Sequence, residues 1–256
     1  MYIDVHCHLF DSKFRNIDLD TVINNAKKAG VGIMVENGIN METNKIVLEH
    51  AKKYPSVKAA LGFYPLEAFK MDEEQLEDEF EFIRNQKGNE KFVALGEIGL
   101  DNHWIKDQLA RQKANLLKLI EIAERLNKPV IVHTRDAEKE TIELLETTRL
   151  KKEKIVLHCF GGSKNLYKRA ESNGWFFSIP ACVAYSSHFQ ELAKEININQ
   201  LLTETDSPLL SPFKDKNPIN EPAFVVEAVK KIAELKKFEI KEVENNILMN
   251  YKRVFE

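Results

Sequence analysis

Residues 107–134, DQLARQKANLLKLIEIAERLNKPVIVHT, contain a predicted helix that is followed directly by a predicted strand. The apolar residues of the first part recur with helical spacing, and the pattern stops at Pro129, as helix ends often do. The short run PVIVHT that follows is rich in β-branched residues. A helix that leads into a buried strand is the repeating unit of α/β proteins, so this stretch predicts a sheet covered by helices.

The same alternation of helix and strand extends along the whole chain. Eight short apolar runs are bounded by turn signals and separated by segments of helical periodicity; they are residues 2–5, 31–37, 57–63, 92–99, 129–134, 154–160, 175–179 and 201–205. Eight buried strands that alternate with helices fit a closed parallel barrel better than an open sheet. We therefore predict an α/β protein with a TIM (β/α)8 barrel that occupies residues 1–256 as a single domain.

The composition limits the class of protein and its surroundings. The 256 residues are 43% hydrophobic and 30% charged, which is typical of a globular chain with a large core. The formal net charge of −3 gives no global basic field, so a nucleic-acid partner would be held locally. Three distant cysteines favour reduced thiols and a cytoplasmic location, and we expect neither secretion nor membrane insertion. Without a heptad seam, we expect a monomer with no obligate protein partner.

Polar side chains stand at the carboxyl ends of five predicted strands, which is where TIM barrels build their active sites. Side-chain alternation places His6 and His8 of the first strand on one face. Burial of several imidazoles and carboxylates without a counter-ion would be costly, and divalent metal is the direct compensation. The predicted metal ligands are His6, His8, Glu97, His133, His158 and Asp206.

Nitrogen and oxygen ligands in this number suit two divalent ions, with zinc or manganese favoured by imidazole and magnesium possible where waters complete its shell. We expect Glu97 to bridge them, with His6 and His8 on one ion and His133 and His158 on the other. Asp206 is expected to hold the first ion and to orient or deprotonate the attacking water, which makes Glu97 and Asp206 the predicted catalytic residues. Two such ions stabilise the attacking and leaving oxygens of a phosphodiester, so we predict a hydrolase.

Five motifs occur in an order that is specific for one family: DVHCHL (4–9), GEIGLD (96–101), PVIVHTRDA (129–137), HCFGG (158–162) and ETDSP (204–208). In these motifs the chain resembles the TatD-like metal-dependent deoxyribonucleases, which are part of the metal-dependent hydrolase superfamily of TIM barrels. The resemblance covers essentially the whole chain, including NEPAFVVEAVKKIAELK (220–236), and the family's metal-binding positions fall on the six residues above. It implies DNA as the substrate, exonucleolytic cleavage, and magnesium or manganese as supporting ions.

Three residues near the predicted site are candidate substrate contacts. Arg135 matches an arginine beside the family's site, and its planar guanidinium suits a phosphate. Tyr64 stands where the family usually has a histidine after strand 3; it can donate a hydrogen bond or stack on a base. His103, on the loop after strand 4, is the third candidate.

Three further carboxylates are expected to support the ligands from behind. Metal-bound histidines commonly give their second ring N–H to such a group. Asp4 and Asp101 are expected to orient imidazoles in this way. Glu204 shares a face with Asp206 one layer deeper, and either a supporting or a purely structural role is open to it.

Other functions on the same barrel stay open, because fold and metals do not fix the substrate. One is an amidohydrolase of small molecules, although relatives of that kind often bridge their ions with a carboxylated lysine from strand 4, where this chain has Glu97. Another is a deacylase of aminoacyl-tRNA. A third is a non-catalytic scaffold, which would not need all six polar groups.

Overall fold

Eight parallel strands form one sheet at the centre of the protein. The computed structural model describes residues 1–14, 17–214 and 219–256. Neighbouring strands pair in chain order from the first to the eighth. The strands are β1 (Tyr2–Cys7), β2 (Val31–Asn37), β3 (Val57–Leu61), β4 (Phe92–Asp101), β5 (Val130–Arg135), β6 (Ile155–His158), β7 (Phe176–Pro180) and β8 (Leu201–Glu204).

Helices follow the strands and cover the outside of the sheet. Within the described ranges they are α1 (Leu19–Lys28), α2 (Met41–Lys53), α3 (Pro65–Phe69), α4 (Glu73–Arg84), α5 (Leu109–Leu126), α6 (Glu138–Leu145), α7 (Lys164–Ser172), α8 (Ser187–Glu195), α9 (Val225–Lys236) and α10 (Ile240–Phe255). None of these combines the length and the apolar character that a membrane crossing requires. The predicted alternation of strand and helix is confirmed, and the strand ends shift by at most two residues.

The barrel closes between β1 and the residues that follow β8. The backbone N–H of Asp206 donates to the carbonyl of His6 at 2.9 Å, and the N–H of His8 donates to the carbonyl of Ser207 at 2.8 Å. Because these bonds join the two ends of the sheet, the predicted TIM barrel is confirmed. Closure also sets the carboxyl end of the first strand beside that of the last.

Both faces of the sheet are buried, which explains why the strands show no clean period of two in sequence. Every residue of β4, β6, β7 and β8 is buried. Parallel strands with helices outside and packed side chains inside are rich in apolar residues throughout. Gly99 lets β4 approach β5 closely, since a Cβ there would lie 2.0 Å from the carbonyl oxygen of His133.

A buried pair outside the barrel joins Glu36 of β2 to His50 of α2. The Nδ1 atom of His50 lies 3.1 and 3.0 Å from the two carboxylate oxygens of Glu36, which is fully buried. Burial by itself lowers the pKa of His50, but the hydrogen bond to Glu36 outweighs it and raises the pKa above its ordinary value. We predicted no catalytic or binding role for His50, and its contact with Glu36 stabilises the fold.

This pair predicts a pH dependence of stability. A histidine whose pKa is raised on folding stabilises the protein below the unfolded-state pKa of about 6.5, and the stabilisation is lost as pH rises through the folded-state pKa. We expect His50→Gln to lower the free energy of unfolding by about 1–3 kcal/mol at pH 6 and by less at pH 9. Urea unfolding at both pH values measures the difference. The control is His188→Gln, which removes a hydrogen bond to the Phe160 carbonyl. An equal loss of unfolding free energy at both pH values in His50→Gln would contradict the prediction.

Candidate active site

The six predicted ligand residues meet at the carboxyl-terminal mouth of the barrel. They come from β1, β4, β5 and β6 and from the turns that follow β1 and β8, and all are buried except His133, which is half-buried. Three overlapping groups place one ligand atom of each member within 4.8 Å of the others; they are His6, His8 and Glu97, then His6, His158 and Asp206, then Glu97, His133 and His158. The structure therefore brings together all six residues.

Four donor atoms surround one position in this cluster. The Nε2 atoms of His6 and His8 are 3.0 Å apart. Glu97 Oε2 lies 3.5 and 3.4 Å from these two nitrogens, and Asp206 Oδ1 lies 3.7 and 3.5 Å from them. Ligands at about 2.1 Å from one tetrahedral or octahedral ion are about 3.0–3.4 Å from each other. The separations among His6, His8 and Glu97 are close to those of ligands that share one divalent ion, and those to Asp206 are slightly longer.

The other carboxylate oxygen of Glu97 faces a second group of imidazoles. Oε1 lies 3.0 Å from Nδ1 of His133 and 4.0 Å from Nε2 of His158. One carboxylate therefore presents its two oxygens to two different sets of histidine nitrogens. That orientation is the one a ligand shared by two ions needs.

Three of the four imidazoles are held by an acceptor on the side away from the cluster. The contacts are His8 Nδ1 to the Asn37 carbonyl at 2.9 Å, His133 Nε2 to Asp101 Oδ2 at 3.1 Å, and His158 Nδ1 to Glu204 Oε2 at 2.8 Å. Histidines that bind metal almost always donate their second N–H in this way, which leaves the first nitrogen free for the ion. The exception is Nδ1 of His6, which has no hydrogen-bond partner among the described residues.

Asp4 makes contacts that differ from the expected ones. Its carboxylate accepts from the backbone N–H of His6 at 3.2 Å and from the N–H and hydroxyl of Thr205 at 2.9 and 2.5 Å. Two positions along a strand span about 6.6 Å, so Asp4 sits one layer below the imidazole of His6. It joins the backbones on either side of the barrel closure, whereas Asp101 and Glu204 contact imidazoles directly.

The charge balance of the cluster keeps both carboxylates of the predicted ligand set, Glu97 and Asp206, ionised. Burial raises the pKa of Glu97, but hydrogen bonds from the surrounding imidazoles hold it well below its ordinary value. Contact with His8 likewise outweighs burial and lowers the pKa of Asp206. Burial and the charge of His158 lower the pKa of His6 to about 3, and its ring stacks on His158 at 3.6 Å between centroids. His6 is therefore neutral at pH 7. Burial disfavours the charge of the other three imidazoles as well, but contacts with carboxylates outweigh it and raise the pKa of His8, of His133 and, to about 9, of His158.

A cleft of about 400 Å³ opens above the cluster and has a mixed lining. Among the described residues, the groups outside the predicted ligand set are Phe10, Asp11, Ile39, Tyr64, Trp104, Arg135 and Leu209. The volume lies within the range of about 300–1,000 Å³ that is typical of small-molecule sites, and the lining has more charged and imidazole groups than such sites usually have. Of the three predicted substrate contacts, Tyr64 and Arg135 line the cleft.

Tyr64 is linked to His133, one of the predicted ligands, through Asp101. Its hydroxyl donates to Asp101 Oδ2 at 2.6 Å and lies 3.3 Å from Nε2 of His133. Burial and this hydrogen bond raise the pKa of Tyr64, so the phenol stays protonated. The tyrosine was expected to donate a hydrogen bond, and its hydroxyl donates one to the carboxylate of Asp101.

His103 is turned away from the cleft, and its neighbour lines the wall instead. Nδ1 of His103 lies 2.9 Å from Asp136 Oδ2 at the surface, and its ring stands edge-on to Trp104 at 4.7 Å. Trp104, Phe10 and Leu209 were not among the predicted site residues. The signal that would have found them is their place on loops at the carboxyl ends of strands, where TIM barrels bind substrate.

Comparisons with known proteins agree with this arrangement. The family model described as TatD related DNase matches residues 3–256. An uncharacterized metal-dependent hydrolase of Methanocaldococcus jannaschii is 36% identical over 99% of this chain and 96% of its own length. The human deoxyribonuclease TATDN3 is 31% identical over 99% of this chain and 94% of its own length.

A solved structure shows the same architecture. The Escherichia coli TatD homologue YjjV superimposes with a TM-score of 0.89 at 27% identity, over 99% of this chain and 97% of that one. The superposition with YjjV and the match to the family model both cover nearly the whole chain, so the similarity is not confined to the site. The chain belongs to the TatD-related DNase family of metal-dependent hydrolases.

Proposed function

We propose that this protein hydrolyses phosphodiester bonds of DNA from a chain end, with two divalent ions and with residues 1–256 as one catalytic domain. The observation that carries the proposal is the orientation of Glu97, whose two oxygens face two sets of histidine nitrogens. A relative of 31% identity is named a deoxyribonuclease, which supports DNA as the substrate. A single ion would leave the second set of imidazoles without a ligand role, whereas a small-molecule hydrolase would use both sets and differs in its substrate.

The donor set fits the proposed ions. His6, His8, Glu97 and Asp206 would hold one of them, and Glu97, His133 and His158 the other. Imidazole and carboxylate ligands favour Zn²⁺ or Mn²⁺ and accept Mg²⁺. When bound, two such ions lower the pKa of a water nucleophile and offset charge on the attacking and leaving oxygens of an in-line displacement.

The residues of the chain perform the proton transfer and the positioning. Asp206 is ionised and lies at the open side of the cluster, so it can accept a proton from the attacking water as the new P–O bond forms. The P–O bond to the sugar breaks in the same displacement, and the leaving sugar oxygen takes up a proton. Arg135 presents its guanidinium to the cleft, where it can bind a non-bridging phosphate oxygen. Asp101 and Glu204 hold two of the imidazoles in place.

We also propose a cellular compartment and an oligomeric state for the protein. Cys7, Cys159 and Cys182 are free thiols, which supports a reducing compartment such as the cytoplasm. We infer that the protein works as a monomer, since each of the groups named above comes from one chain. Size-exclusion chromatography with light scattering at micromolar concentration tests the monomer.

The experiment that tests the function starts from protein stripped with a chelator. Single- and double-stranded DNA are assayed beside a panel of small amides and an aminoacyl-tRNA, with Mg²⁺, Mn²⁺ or Zn²⁺ added back. We expect no turnover without metal, DNA cleavage after addition, and elemental analysis that finds two ions per chain. DNA cleavage in the stripped protein would contradict the proposed chemistry. Turnover of the amides or of the aminoacyl-tRNA in place of DNA would assign the protein to one of the alternative functions.

A further inference from the structure

One tryptophan of this chain is exposed at the wall of the cleft. The sequence has two tryptophans; Trp175 is buried, with 3% of its surface exposed, whereas Trp104 is 60% exposed. Trp104 lines the same cleft as the predicted ligand residues Glu97 and His133, and an indole offers a large flat apolar surface for contact. The exposed indole is therefore a candidate contact for a flat apolar group of the substrate.

The position of Trp104 is fixed relative to the ligand cluster by Asp101. Oδ1 of this carboxylate accepts the backbone N–H groups of His103 and Trp104, each at 2.9 Å. Oδ2 accepts from Tyr64 and contacts His133. One buried carboxylate thus sets both the orientation of a ligand imidazole and the start of the loop that carries the indole.

A cationic group lies against the indole. The guanidinium carbon of Arg135 is 5.3 Å from the centroid of the Trp104 ring, within the range of a cation–π contact. The nearest carboxylate in sequence, Asp136, pairs instead with His103. Arg135 therefore lies next to the indole, and both residues line the cleft.

We propose that Trp104 and Arg135 form a subsite for an unpaired terminal nucleotide, in which the base stacks on the exposed indole of Trp104 and Arg135 binds the adjoining phosphate. This inference rests on the proposed function, because it names the form of DNA that the cleft takes. A base inside a duplex is already stacked on both faces, and a paired terminus brings a second strand for which a cleft of about 400 Å³ has little room, so we infer that an unpaired terminal base meets the indole. Stacking on an aromatic side chain tolerates every base, which suits an enzyme that removes nucleotides in turn.

The test uses pairs of single-stranded oligonucleotides that differ at one terminal residue. One member carries a normal nucleotide at that end and the other carries an abasic tetrahydrofuran unit with the same phosphate; each pair is made for both ends. Stacking of one base is worth about 5- to 150-fold in affinity, so we expect the wild-type protein with added metal to prefer the normal terminus by that factor in kcat/KM. Trp104→Ala should bring the ratio close to one, and Trp104→Phe should keep most of it.

A second measurement needs no turnover. Trp175→Phe leaves Trp104 as the single tryptophan, and the tryptophan emission is titrated with the same oligonucleotides in EDTA. We expect quenching by the normal oligonucleotide and little by the abasic one. Phe238→Ala removes an exposed aromatic from the surface outside the cleft, and it should behave as wild type in both measurements.

The outcomes separate this inference from the proposed function. Cleavage of both substrates at equal rates, with Trp104→Ala like wild type, would overturn the subsite and leave the nuclease in place. Base-dependent quenching without any cleavage would keep the subsite and reject the nuclease. Neither cleavage nor quenching would reject both.

Discussion

Glu97→Gln is expected to lower kcat/KM for DNA cleavage by about 1,000-fold and to reduce the bound divalent ions from two per chain to one. The carboxylate faces one set of histidine nitrogens with Oε2 and the other with Oε1. The amide keeps the size of the side chain but replaces one oxygen by a nitrogen that cannot bind metal. Loss of one ion removes several kcal/mol of transition-state stabilisation, and 1.36 kcal/mol corresponds to a factor of ten.

The measurement combines steady-state kinetics with elemental analysis of protein dialysed against limiting metal. Glu79→Gln is the matched control, because Glu79 is also buried but lies on α4 outside the cleft. We expect it to keep both its ions and its activity. Two ions per chain and wild-type rates in Glu97→Gln would show that Glu97 does not bridge.

Asp206→Asn is expected to lower kcat by about 100- to 10,000-fold, the usual contribution of a positioned general base, with KM changed far less. The asparagine oxygen can still face His6 and His8, but the side chain can no longer take a proton. The carboxylate is ionised in the wild-type protein, since contact with His8 outweighs its burial. The variant therefore separates proton transfer from metal binding, and we expect elemental analysis to find the metal content preserved.

Single-turnover kinetics on a terminally labelled oligonucleotide measure this loss without a contribution from product release. Asp20→Asn, which changes an exposed carboxylate that pairs with Lys53, controls for the change of charge. A kcat within a few-fold of wild type would remove Asp206 from the proton transfer. A loss of bound metal that accounts for the whole loss of rate would make Asp206 a ligand only.

Much of the architecture was readable from sequence because buried parallel strands and amphipathic helices have strong local signatures. The eight apolar runs correspond to the eight strands, with ends that differ by at most two residues. The ends of the strands were the least accurate part of the prediction, because local sequence patterns define the boundaries of an element less well than its interior. β4, for example, continues past Gly99 to Asp101, so Asp101 lies in the strand and not in the loop.

The residue types at the strand ends also predicted which side chains would meet. All six expected ligand residues converge at one mouth, because parallel strands in a closed barrel all end on the same side. Their role as metal ligands stays a prediction, and the two variants above test it. The placement of Asp4 was less accurate, because alternation gives the face of a side chain but not its depth in the barrel.

The sequence by itself determined the barrel and the set of chemical groups at its mouth, since both follow from local periodicity and from the order of the strands. Only the tertiary structure decided how those groups are oriented. The two oxygens of Glu97 face different histidines, the carbonyl of Asn37 holds His8, and Trp104 takes the place on the cleft wall that His103 was expected to have. These features depend on barrel closure, on backbone carbonyls and on an irregular loop, none of which leaves a periodic pattern in the chain.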